Sequence, residues 1–111
     1  MRKGASMTLK EILAAILPAE RLFHTGNNKP RTYCTYQLIT QAAAVSADDD
    51  EKLTQSMHRV TLFSKSDYTE VLNKIITALK ANGYYINSID GEDYETDTGY
   101  YKVPITIQKL D

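Results

Sequence analysis

Six apolar side chains, Tyr68, Val71, Leu72, Ile75, Ile76 and Leu79, recur at spacings of three and four, which lines them along one side of a helix whose other side is polar. The spacing predicts a helix over 67–83. Ser66 or Asp67 stands where a side chain accepts the first free amides, Glu70 where a capping box places its acid, and Gly83 where the chain turns left-handed to leave. Such a stripe, each member worth about 1.5–3 kcal/mol when buried, requires a sheet beneath it. The partner strand closes the chain: Tyr101, Val103, Ile105 and Ile107 alternate with Lys102, Pro104, Thr106 and Gln108, the period of two expected of a strand with one apolar face. Pro104 has no amide hydrogen to give a ladder, so this strand is expected at an edge or at a bulge.

The preceding chain supplies a second stripe and more strands. Leu9, Ile12, Leu13, Ile16 and Leu17 share one helical face until Pro18 stops the run, and Thr8 with Glu11 has the spacing of a capping box. The polar face of this helix offers only Lys10 and Glu11, so its stripe is expected on the sheet and not on a membrane. Residues 21–24 read as a short strand and 25–31 as a turn-rich polar loop. Residues 32–39, mostly β-branched or aromatic, read as a strand that can continue through 41–45, where the alanines leave the state open. The segment 46–51 reads as a loop. In 56–64, His58, Val60 and Leu62 alternate with Arg59, Thr61 and Phe63; both faces carry apolar residues, which suits a central strand. A further strand is expected at 84–89, followed by Asp90, Glu92, Asp93, Glu95 and Asp97 in an acidic segment at 90–99. The order helix, two or three strands, helix, two strands predicts an α+β domain, a largely antiparallel four- to five-stranded sheet with two helices packed on one face and the other left open.

A chain of 111 residues accommodates a single domain, placed here at 8–111. The opening MRKGASM, 1–7, reads equally as an expression-tag remnant, with Met7 the natural start, or as native sequence. Charge is nearly balanced at 13 basic against 14 acidic residues, and setting aside Arg2 and Lys3 leaves 11 against 14. Without a basic stripe, nucleic acid is not expected as the main partner, because neutralising phosphates takes clustered Lys and Arg. The one cysteine cannot form an internal disulfide, which fits a reducing compartment. No apolar run approaches the roughly 20 residues that span a bilayer, and the start is too poor in apolar residues for a secretion signal.

Candidate chemistry is sparse. Asp48, Asp49 and Asp50 invite a hard cation, but consecutive side chains splay apart and neither a loop glycine nor a distal glutamate completes a calcium loop. A solvated loop is the expectation. In the acidic segment a hairpin would send alternate carboxylates to opposite faces, so a charged contact surface fits better than a metal site. His24, His58 and Cys34 are the only histidines and thiol, and no motif ties them into a nucleophile–base pair; Cys34 suits a small apolar filler in a strand. With no phosphate loop, zinc spacing or nucleophile elbow, neither an enzyme nor a bound cofactor is expected. Eight tyrosines against no tryptophan suit either a protein contact or a sheet dressed with rings. The pairs Tyr84–Tyr85 and Tyr100–Tyr101 put one ring on each face of their strands.

Several stretches, in order, resemble the tail terminator or tail completion proteins of tailed bacteriophages and prophages, the minor tail proteins that join head and tail. These are Tyr33-Cys34-Thr35-Tyr36 after a proline loop, the acidic loop Asp48-Asp49-Asp50, His58-Arg59-Val60-Thr61-Leu62-Phe63-Ser64, the helix start Ser66-Asp67-Tyr68, and Tyr94-Glu95-Thr96-Asp97-Thr98-Gly99-Tyr100-Tyr101 before an alternating strand. The resemblance covers nearly all of the chain from Met7 and includes no catalytic signature. It implies a small non-enzymatic protein, assembled in the host bacterial cytoplasm, that closes the tail tube of a virion as a ring of six. Its implied partners are further copies of itself, the tail tube protein and head–tail connector proteins, with no membrane and no nucleic-acid sequence recognition. It assigns no contact residues. Loop position and charge alone nominate Asn27, Asn28, Lys29, Asp48, Asp49, Asp50, Glu92, Asp93, Glu95 and Asp97 as the candidate interface. Two other readings compete. A ferredoxin-like regulatory or ligand-binding domain needs a strand before the first helix, where residues 2–7 make a poor one; a small enzyme needs Cys34 beside a histidine.

Overall fold

The computed structural model describes residues 7–24, 26, 29–46 and 52–110. Its elements run α1 (Leu9–Ala14), β1 (Ala19–Arg21), β2 (Thr32–Ser46), β3 (Lys52–Ser64), α2 (Thr69–Ala81), β4 (Tyr85–Ile89), β5 (Asp93–Glu95) and β6 (Tyr100–Leu110). This is an α+β protein with six strands in one sheet, ordered β1-β2-β3-β6-β4, with β5 also against β6. All pairings are antiparallel except β1 with β2. The strand count exceeds the four or five expected because the acidic segment hides a strand: β5 returns on β6 through a turn that Gly99, at φ +79°, lets tighten. The strand expected at 21–24 lies instead at Ala19–Arg21.

The caps follow the sequence in part. Thr8 Oγ1 accepts from the Glu11 amide at 3.2 Å while Glu11 Oε1 accepts from the Thr8 amide at 2.8 Å, the reciprocal box expected for α1. In α2 no capping box forms with Glu70. Asp67 does the work, accepting from the Thr69 amide at 3.0 Å and the Thr69 hydroxyl at 2.8 Å, and these bonds hold its carboxyl below the usual range. Gly83, at φ +89°, ends α2 as expected.

One cluster contains the buried faces of both helices, Leu9, Ile12 and Leu13 with Ile75 and Leu79, and the sheet residues Cys34, Val60, Leu62, Val103, Ile105 and Ile107. Register explains the selection. Cys34 pairs with Leu62 and Leu62 with Val103, Val60 with Ile105, and His58 with Ile107, so these side chains share one face. The central place expected for 56–64 is the place of β3, between β2 and β6.

The closing strand is not an edge, contrary to the expectation from Pro104: β6 lies between β3 and β4/β5. Pro104 pairs with Thr61 on one side, and on the other its carbonyl accepts from the Asp90 amide at 2.8 Å. Its hydrogen-less nitrogen points to that same second side, where β4 pairing stops at Ile105 and β5 pairing at Lys102. The proline occupies the break between two short strands, where the ladder asks for no donor.

The molecule is elongated, 53 × 26 × 25 Å with a radius of gyration of 15.5 Å, against about 13 Å for a compact domain of this length. The β2–β3 hairpin explains it: its pairing continues to Ser46 and Lys52, past the last β3–β6 pair at Gln55 and Leu110. As for the ferredoxin-like alternative, residues 1–6 lie outside the described residues, and the succession of three strands, α2 and three strands departs from the βαββαβ order of that fold.

Candidate functional site

No Cys–His pair forms. Cys34 is fully buried on the helix-covered face, and burial pushes its thiol up to about 12. His24 lies beyond the other face, edge-on to Tyr33 at 5.2 Å, with Nε2 3.3 Å from Glu20 and Nδ1 accepting from the Gly26 amide at 3.2 Å. His58 shares the face of Cys34 but pairs with Leu38 while Cys34 pairs with Leu62, a separation of four residues along the strand, about 13 Å. Among the described residues no group of three His, Cys, Asp or Glu side chains is placed to hold a metal ion, and no helix is long and apolar enough to cross a membrane.

Of the nominated interface residues, Asn27, Asn28, Asp48, Asp49 and Asp50 lie outside the described residues. The others gather beside β5. Lys29 lines one shallow depression with Asp93, Glu95 and Asp97, so a cation from a distant loop faces three of the acids. Glu92 stands apart and accepts a hydrogen bond from the Tyr68 hydroxyl at the start of α2; that bond and desolvation push the Tyr68 phenol up to about 12. Asp93 accepts from the Tyr94 amide at 2.9 Å and Glu95 from the Thr98 hydroxyl at 2.9 Å. These bonds shape the hairpin and leave the segment a fixed acidic rim.

The face away from the helices is only partly open. At one end Tyr33 stacks on Phe63 at 4.7 Å, Tyr100 meets both rings edge-on, and the Tyr100 hydroxyl donates to the Pro30 carbonyl at 2.6 Å. Lys65 covers the Tyr100 ring at 5.0 Å. Farther along, Asp90 accepts from the Ser88 and Thr106 hydroxyls, each at 2.7 Å, with Arg59 at 4.0 Å. These hydroxyl bonds, helped by Arg59, hold its carboxyl below the usual range. Tyr100, one of the rings that alternation placed away from the helices, is buried there, while Tyr85 is 67% exposed.

Sequence reasoning missed where the exposed apolar surface lies. Among the described residues the large apolar side chains left exposed are Met7, Leu22, Phe23, Leu38, Ile39, Tyr85, Ile89 and Tyr94. Apart from Met7 they fall on two opposite edges of the sheet. Leu38 and Ile39 lie on β2 just past Tyr36, where pairing with β1 ends, and Leu22 is held there by its amide on the Tyr36 carbonyl at 2.9 Å. Tyr85 and Ile89 lie on β4 and Tyr94 on β5. Leu22 takes φ +69° in a three-residue turn closed by the Phe23 amide on the Arg21 carbonyl at 2.8 Å. This conformation is rare for a side chain of that size, and it leaves Phe23 63% exposed. The available signal was the Leu22–Phe23 pair lying outside every periodic stripe.

No family model matches the chain, and no curated protein matches it. Solved structures do. A chain in "Virion of native gene transfer agent (GTA) particle" is similar to this one at a TM-score of 0.53 and 8% identity, over 96% of this chain and 85% of that one. A second, in "Cryo-EM Structure of an Extracellular Contractile Injection System, PVC sheath/tube terminator in extended state", is similar at a TM-score of 0.48 and 12% identity, over 93% of this chain and 54% of that one. The protein therefore shares its fold with a component of a gene transfer agent virion.

Proposed function

We propose that this chain is a non-enzymatic structural protein of a phage-like particle, a tail terminator that closes the end of the tail tube as a ring of six and offers the opposite surface to the head connector. The observation that carries this reading is the shared fold, which runs along 96% of this chain and 85% of a virion component, so that the likeness extends over most of both chains. The reading is further supported by both helices joining one cluster on one side of the sheet, which keeps the rim available to neighbours. Copies related by a closed rotation meet through unlike surfaces, and the sheet carries two unlike exposed edges. The site of action is then the virion tail, after assembly in the host cytoplasm. Light scattering at rising concentration, and again with the cognate tail tube protein, tests the proposal. A closed oligomer at tube ends is expected, and a strict monomer without affinity for tubes contradicts it.

A further inference from the structure

The two exposed apolar edges sit at the same height in the sheet. Following the ladders across, Leu38 pairs with His58, His58 with Ile107, and Ile107 with Ile86; one step on, Tyr36, Val60, Ile105 and Ile89 share a row. The outer side of β2, unpaired after Tyr36 among the described residues, is therefore level with β4. Direction agrees as well: β2 runs with β6, and β4 runs against β6. A rotation about an axis parallel to the strands, with no climb, brings β4 of one copy alongside β2 of the next in antiparallel sense, the commoner pairing. A ring closes only without climb.

Charge agrees too. Arg21 belongs to the row of Tyr36 on the helix-covered side and lies exposed at the first edge. Glu92, turned to the helix side by its bond with Tyr68, lies exposed at the second. An exposed edge that carries apolar side chains is the kind of surface that proteins otherwise guard. The strained turn at Leu22, which sets Phe23 outward at this edge, is a cost that a binding surface explains.

Building on the ring reading, we infer that the β4 edge of one copy docks along the outer side of β2 in the next, packing Tyr85 and Ile89 against Phe23, Leu38 and Ile39, with Arg21 facing Glu92. The partner is a second copy of this chain, joined head to tail by β-strand addition.

The test uses two surface variants, Phe23→Asp and Ile89→Asp, each spoiling one edge and sparing the other. Sedimentation of either alone is expected to give monomer where the wild type gives closed oligomers. An equimolar mixture is expected to stop at a heterodimer, because each pair retains one intact contact. Variants that assemble like a ring-forming wild type overturn the edge assignment and leave the ring reading standing, and homodimers of Ile89→Asp alone overturn it by showing that like edges pair. A wild type that stays monomeric even on tail tubes removes the ring reading itself. If either variant fails to fold, Phe23→Cys with Ile89→Cys in one chain, under oxidation, is expected to give a ladder of covalent multimers, since Cys34 is buried; absence of the ladder in a protein that still forms rings overturns the assignment.

Discussion

The two faces of the sheet solve burial in different ways. On the helix-covered face, aliphatic rows such as Val60–Ile105 and Leu62–Val103 lie fully buried or nearly so beneath two helices. On the reverse face there is no second layer among the described residues, and Tyr33, Phe63 and Tyr100 cover one another, sealed by one hydroxyl bond and one ammonium. With one face under the helices and one end of the other covered by its own rings, the large apolar side chains left exposed among the described residues lie, apart from Met7, at the rim. The difference points to the edges, more than to an open face, as the place of the proposed docking.

The contrast is sharpest in reactivity. Cys34, whose thiol is pushed up to about 12 from an ordinary 9.0, is expected to react with a neutral alkylating reagent about a thousandfold more slowly than a peptide thiol, until urea unfolds the chain. Labelling at the free rate would mean that the helices do not seal this face. Next in size is packing. Ile105→Ala beneath the helices is expected to cost about 2–5 kcal/mol in urea unfolding, and Phe63→Ala on the half-buried reverse side about 2 kcal/mol. Equal costs would break the distinction between a covered and a self-covered face. Tyr100→Phe, which removes the hydroxyl bond to Pro30, is expected to cost about 1 kcal/mol.

The smallest effect is on pH dependence. His58 has its Nδ1 buried without a hydrogen-bond partner, and burial lowers its pKa from 6.5. A lowered folded value means that the unfolded chain binds the proton first, so the stability that neutral His58 contributes is present above about pH 6.5 and is lost as pH falls below it. Lys10 and Arg21 line the same groove. Urea midpoints are expected to fall between pH 7 and pH 5 in the wild type and to fall less in His58→Gln. An equal decline in both would assign the dependence elsewhere.

Much of the fold was legible because periodicity is local. Spacings of three and four gave α1 and α2, and alternation gave β3 and β6. Position within the sheet was less so. Pro104 suggested an edge, yet the strand is internal because the break between β4 and β5 falls opposite the proline, an arrangement set by pairing across the chain. β5 stayed hidden because Asp93, Tyr94 and Glu95 carry no strand signal beyond one ring. The candidate interface was read from charge, which brought Lys29 together with Asp93, Glu95 and Asp97. The exposure of Phe23, Leu38, Ile39, Tyr85 and Ile89 was not legible, because an apolar residue on a strand is core or rim according to which neighbour the strand lacks, and no local pattern records that.

Hydrogen exchange measured on the free protein and on the ring seated at tail tube ends tests the central claim most directly. Slowing is expected in the segments 20–23, 37–41 and 85–94, with the outer surface of α2 unchanged. Slowing over α2 or across the middle of the reverse face, with both edges exchanging as in the free protein, would contradict it.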